Sequence, residues 1–287
     1  MRDGCASRTA LGAAIHRANH QRMEGGFLLR DPLAERIVAG EADQNALLED
    51  DDTDRRGLRL FIAARSRFSE NKVAQAFAER GIRQVVVLGA GLDTFAYRHP
   101  LGSELRVFEV DHPATQAWKR ARLDAAEIAI PPNMAFVPVD FETQRLRPQL
   151  EAQGFDPALP AFFMILGVIG YLSLAAIDEL LAMLSAFSGC ELTWDYSEPP
   201  EGLGPEQQRL HAALVARTAA VGEFYDTLFA PDRMATMLHQ AGFDVAEDLD
   251  VYDLLACYIG DAAVAPARAA AGGRGGAHVL HAIHHGV

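Results

Sequence analysis

Cysteine is scarce in this 287-residue chain: Cys5, Cys190 and Cys257 are odd in number and widely spaced. That excludes a disulfide framework and makes the cytoplasm the expected compartment. Long apolar runs are missing too. The most apolar stretch, Ala158 to Leu172, contains Pro160 and is too short to cross a bilayer. No membrane partner is therefore expected. The segment after Met1 carries early charges and no apolar centre, so no signal peptide is expected either. Basic residues are outnumbered, 26 Lys and Arg against 39 Asp and Glu, for a formal charge of -13. A general nucleic-acid binder needs concentrated positive charge, so that class is set aside.

Metal-ligand spacing is also lacking. Glu49 to Asp54 is a run of like charges that reads as a solvated loop, because adjacent carboxylates are not the spaced ligands of a calcium loop. His278, His281, His284 and His285 have no Cys or acid cluster beside them, and residues three apart do not share a strand face. No metal is expected.

What the chain does have is apolar content, 49% of its residues, enough for a sizeable core. The expectation is a single α/β domain over 1–287, with residues 1–60 as a helical cover. Val85 to Leu88 is a continuous apolar run that enters Gly89-Ala-Gly91. Such a run suits a strand buried on both faces, and the glycines permit a sharp turn and close approach of a ligand to the backbone. Further strands are predicted over Arg106–Asp111, Met134–Asp140, Phe162–Leu166, Glu191–Asp195, Phe243–Ala246 and His278–Ile283. Pro138 places the third of these near an edge. Helices are predicted over Arg8–Met23, from Asp31-Pro32 onward, over Arg59–Gly81, after Pro113, over Leu174–Phe187 capped by Ser173, over Glu206–Gly222 and from Pro231 to Gly242. Ala262 to Gly276, rich in Ala, Gly, Pro and Arg, reads as a flexible loop. Strands and helices alternate as in βαβ units, which gives a mostly parallel sheet with an antiparallel last strand.

Two acids mark the strand tips. Asp111 ends the second strand, 20 residues after Gly91, where a carboxylate can accept both hydroxyls of a ribose. Asp140 ends the third and can accept an adenine amino group. Thr94 stands where a dinucleotide turn wants its third glycine, which turns the reading from NAD toward a phosphate-free nucleoside cofactor. S-adenosyl-L-methionine is such a cofactor, and Arg65 can pair with its carboxylate.

Four stretches carry a more specific likeness: Ala64-Arg-Ser-Arg-Phe68, Val86 to Thr94, Val107 to Pro113 and Phe136 to Asp140. Together they resemble the leucine carboxyl methyltransferase-like family, a class I, Rossmann-like branch of S-adenosyl-L-methionine-dependent methyltransferases. The likeness runs over roughly residues 8 to 255. It implies a seven-stranded sheet and O-methylation of a small molecule, often in secondary metabolism. It also implies cofactor contacts from Arg65, Gly89, Ala90, Gly91, Asp111, Asp140 and Phe141. Glu109, in phase with Asp111, and His112 beside it join that set. Leu166 stands where the family commonly has Glu, Asn71 where it has Asp, and Cys257-Tyr258 where it has Arg-Tyr. A carboxylate acceptor needs no base, whereas a phenol or alcohol is helped by one. Tyr171, His112 and Asp195 are the candidates. An NAD-linked oxidoreductase and a non-catalytic binder of the same cofactor are the alternatives, and the chain is expected as a monomer or homodimer.

Overall fold

The computed structural model describes residues 6–40, 53–140, 143–187 and 189–285. Seven strands form one sheet: β1 (Gln84–Leu88), β2 (Arg106–Asp111), β3 (Met134–Pro138), β4 (Ala161–Ile165), β5 (Cys190–Ser197), β6 (Asp244–Asp250) and β7 (Ala277–His284). Their spatial order is β3-β2-β1-β4-β5-β7-β6. The first five pair in parallel, and β7 runs antiparallel to both β5 and β6. β1 and β4 are buried along their whole length. Helices cover both faces of a parallel sheet, so its inner strands read as unbroken apolar runs. β3 is an edge strand, where Pro138 removes no ladder donor that an inner strand would need. Winding reverses between β1 and β4, and ligands of open α/β sheets bind beyond the strand ends at such a switch point.

Eleven helices are described: α1 (Arg8–Glu24), α2 (Ala34–Val38), α3 (Thr53–Glu79), α4 (Phe95–Arg98), α5 (Pro113–Ala125), α6 (Leu146–Ala152), α7 (Leu174–Leu184), α8 (Pro205–Ala220), α9 (Pro231–Gln240), α10 (Val251–Ile259) and α11 (Asp261–Ala270). One face of the sheet packs Phe163, Leu192 and Trp194 against Leu181, Phe187 and Leu238. The other packs Val85, Val87 and Phe162 against Val73 and Ala76 of α3. A third cluster joins α1 to α2 and α5 through Ala14, Ile15, Ile37, Leu92 and Leu123. No helix among the described residues is long and apolar enough to cross a membrane.

Several expectations need correction. Residues 262–276 are not one loop, because α11 occupies most of that stretch. Alanine is the best helix former. Val264 anchors the helix in the cluster around Leu254 and Leu255, and Arg268 donates to Asp253 at 2.5 Å. Pro266 lies inside the helix and removes one backbone donor. α10 had no counterpart in the sequence reading. Asp250 starts it, accepting the N–H groups of Tyr252 and Asp253 at 2.7 and 2.8 Å. Asp31 does not open a helix directly: α2 begins at Ala34, and Asp31 accepts from Thr94 with one oxygen and from the Leu33 N–H with the other. α3 begins six residues earlier than expected, at Thr53, and the preceding acidic residues, 49–52, lie outside the described residues.

Two histidines of the C-terminal strand, His278 and His281, pair with acids, whereas His284 tilts against the Phe243 ring. His278 lies between Asp248 (3.0 Å) and Glu198 (3.1 Å) and stacks on Tyr196 at 4.8 Å. Tyr196 in turn donates to Asp248 at 2.6 Å. This clasp joins β5, β6 and β7. Burial alone would lower the imidazole pKa, but the two carboxylates outweigh it and raise the value above 6.5. A raised folded-state pKa means the clasp contributes fully below pH 6.5 and fades as pH rises through the folded value. Replacing His278 with Gln should cost about 2 kcal/mol at pH 6. In urea melts across pH 5.5 to 9, the gap between the two proteins should shrink as pH rises. A gap independent of pH would show that the ring acts only by packing.

Candidate functional site

Chain geometry assembles the glycine turn first. Beyond β1, Gly89 and Gly91 have φ of +66° and +43°, a region open to glycine and strained for other residues. The Gly91 N–H donates to Asp111 Oδ2 at 2.6 Å, and the His112 N–H donates to Oδ1 at 2.7 Å. The Asp111 carboxylate thus ties the tip of β2 to the turn after β1. Burial raises its pKa, while the two backbone donors and the Lys119 charge work against that rise. Asp140 follows β3 at the same edge of the sheet, half-buried, with Thr143 donating to its carboxylate at 3.1 Å. Phe141 lies outside the described residues.

Side chains press on the turn from above. A Cβ at Gly89 would meet Val168 at 2.5 Å, and one at Gly91 would meet the Ala10 methyl at 2.8 Å. α1 therefore crosses directly over the turn. Arg17 holds it there by donating to the Leu92 carbonyl at 2.7 Å. Fully buried Asp31 supports this arrangement, accepting from Thr94 at 2.6 Å and ion-pairing with Arg98 (3.3 Å) and Arg17 (3.7 Å). Arg98 also grips Glu70 of α3, with one hydrogen bond of 2.9 Å.

A second group gathers beyond β4 and β5. Arg65 of α3 pairs with Asp195, whose other oxygen accepts the Gly167 N–H at 2.5 Å. The Arg65 Nε–H is buried and has no hydrogen-bond partner. Tyr171 meets Tyr225 edge to face at 5.1 Å, and Tyr225 shares a 2.9 Å hydrogen bond with Ser197. Burial, with the Glu223 charge in support, pushes the Tyr171 phenol up to about 12 against a hydrogen bond from Thr9. Glu223 also accepts the Arg8 N–H at 2.8 Å and the Ser7 hydroxyl at 3.1 Å. The start of α1 is thereby joined to the segment that carries Tyr225.

The predicted site residues divide. Gly89, Ala90, Gly91 and Asp111 form the turn, and Arg65, Asp195 and Tyr171 form the second group. Three placements correct the sequence reading. Glu109 is buried toward α5, with Lys119 at 2.7 Å and Tyr97 at 2.9 Å, and burial pushes its pKa up to about 7 against Lys119. It belongs to a buried pair, not to the turn. His112 Nδ1 accepts the Ala114 N–H at 3.2 Å and caps α5, which occupies the nitrogen a base would use. Asp195 pairs with Arg65 through one oxygen and accepts the Gly167 N–H with the other, which ties Arg65 to the end of β4. Leu166 is half-buried and packs with the cluster between α3 and α10. Asp31, Glu223 and Tyr225 were missed. Their partners are remote in sequence, and no periodicity marks them.

Three comparisons place this geometry among known proteins. The sequence model of the leucine carboxyl methyltransferase family matches residues 10–185. YktD of Bacillus subtilis, assigned by name to the S-adenosyl-L-methionine-dependent methyltransferases, is 34% identical over 177 residues. That match spans 61% of this chain and 58% of YktD. A Mycobacterium tuberculosis protein of the same designation is 31% identical over 265 residues, 83% of each chain. A crystal structure from Thermobifida fusca shares the fold, with a TM-score of 0.59 and 19% identity over 98% of this chain and 96% of that one.

Replacing Gly91 with Ala should destabilise the protein by about 1–3 kcal/mol, because the new methyl drives into Ala10. Adding Ala10→Gly should restore part of that loss, with a coupling of about 1 kcal/mol in a double-mutant cycle read from denaturant melts. Zero coupling would leave backbone strain at Gly91 as the whole cause.

Proposed function

The chain belongs to the leucine carboxyl methyltransferase family, and we propose that it is an S-adenosyl-L-methionine-dependent O-methyltransferase acting on a hydroxyl or carboxylate of a small molecule. The observation that carries this reading is the pairing of two features at the β1/β4 switch point. One is a buried carboxylate, Asp111, held against the glycine turn. The other is the buried, unpartnered Nε–H of Arg65. An orphaned guanidinium donor costs free energy unless a ligand answers it. The cofactor's tail carboxylate is chemically matched to it.

In this reading Asp111 accepts from the ribose hydroxyls with the lone pairs its two backbone bonds leave over. Asp140 accepts from the adenine amino group. Gly89 and Gly91, with their positive φ, form the turn beneath the methionine part. Arg65 donates to the tail carboxylate, and Asp195 is a positioning residue that aims Arg65. When bound, the cofactor supplies an electrophilic methyl on a positively charged sulfur. The protein's contribution to an in-line displacement is then mostly alignment of the acceptor oxygen. Tyr171, its phenol held protonated by burial, can donate a hydrogen bond to that oxygen but is a poor base. α1 and Glu223 exclude water above the turn.

Calorimetry with S-adenosyl-L-methionine, its demethylated product and NAD tests the reading. The first two should bind at one site and NAD should not. Asp111→Asn should weaken both about tenfold to a hundredfold, the worth of a charged hydrogen bond. NAD binding, or undiminished affinity in Asp111→Asn, would overturn it.

A further inference from the structure

A buried pair stands behind the tip of β2. The Lys119 ammonium lies 2.7 Å from the Glu109 carboxylate, and both side chains are almost wholly covered. Tyr97 donates to the same carboxylate at 2.9 Å, and the ammonium sits 5.4 Å from the centre of the Tyr97 ring. Gln116 of α5 donates to the Glu109 carbonyl at 3.0 Å. Tyr97 belongs to α4, which follows the glycine turn, and Lys119 to α5, which follows Asp111. The cluster thus fastens together the helices that leave the two halves of the site.

Its charges do not close on themselves. Lys119 Nζ has no aligned hydrogen-bond acceptor, and Glu109 Oε1 accepts from nothing. A buried cation held in this way keeps a field that little solvent screens. Side chains two apart on a strand share a face, with Cα atoms roughly 7 Å apart. Glu109 and Asp111 are so related on β2, and Asp111 is itself buried. Two carboxylates on one dry face therefore share one ammonium, whose charge acts on both against the upward push of burial. The other ionisable groups about the tip are His112, whose ring caps α5, Asp93 just past the turn, and Tyr97, whose phenol burial keeps protonated.

We infer that Lys119 is a positioning residue for the cofactor: held behind the strand tip by Glu109, its ammonium is the counter-charge that keeps Asp111 an acceptor for the ribose hydroxyls. This rests on the methyltransferase reading of Asp111. Glu109, with one oxygen unanswered, takes a proton before Asp111, whose two oxygens each accept a backbone N–H. Protonated Glu109 then leaves the whole Lys119 charge to Asp111.

The test is calorimetry of the demethylated cofactor on the full chain from about pH 4.5 to 8.5. Affinity should fall on the acid side as Asp111 takes up a proton. Loss of a nearby cation favours the protonated carboxyl, so in Lys119→Met this acid limb should move upward by about one pH unit, about a tenfold loss at a pH on the limb. Glu109→Gln keeps the ammonium and removes the competing acid, so its limb should stay or move down. Lys119→Met combined with Glu109→Gln leaves no unpaired charge of the pair, and should show the upward move even where Lys119→Met alone does not fold. Asp111→Asn should bind weakly and show no acid limb. His112 is present in every protein compared and contributes alike to each profile. A lysine that merely held α5 in place would lower affinity equally at every pH, or move both single variants the same way, and either result would overturn the inference. So would a doubly substituted protein whose limb coincides with that of the unaltered one, or a limb that persists in Asp111→Asn. If the unaltered protein fails to bind the demethylated cofactor at all, the methyltransferase reading fails first.

Discussion

The hydrogen bond from Gly91 to Asp111 is the contact on which the site depends. It joins the first turn of the sheet to the tip of the neighbouring strand at 2.6 Å, in a buried environment. A carboxylate there is costly to bury alone. Two backbone N–H groups offset that cost by meeting one oxygen each. The anion and the turn therefore stabilise each other: without the carboxylate the Gly91 donor is buried and unmatched, and without the turn the carboxylate is.

Around that bond the N-terminal helix works as part of the site. Ala10 touches the space above Gly91, Arg17 holds the carbonyl of Leu92, and Asp31 supports Thr94 just beyond the turn. The support is ionic and buried, running through Arg98 to Glu70 on α3. Such networks are sensitive to removal of any one member, because the remaining charge is left unpaired in a dry place. This is a physical reason for a charged network beneath a turn that must hold one shape.

Much of the fold was legible in the sequence because parallel strands write themselves as short apolar runs. Val85 to Leu88 and Phe162 to Met164 are such runs, and the strand with Pro138 lies at the edge, as a residue with no N–H requires. Asp111 was legible because it follows directly from the strand that presents it. The alanine-rich α11 was misread, because Gly at its ends and Pro266 within it suggest a loop while its anchors, Val264 in a distant cluster and Arg268 on Asp253, are tertiary. Asp31 meets Thr94 across 63 positions, and Glu223 meets Ser7 across 216. No local pattern reports a pairing of that range. Glu109 was misjudged for a related reason: the in-phase position on β2 was visible, but the lysine on α5 that takes the carboxylate was not.

Glu223 has a mechanical consequence. It grips the first residues of the helix that roofs the glycine bend, and it belongs to the strip that brings Tyr225 against Tyr171. The roof on one side and the wall on the other thus share one carboxylate. Ser7, Arg8 and Thr9 all donate to that carboxylate, so roof and wall are fixed to each other through one side chain and their positions are set together.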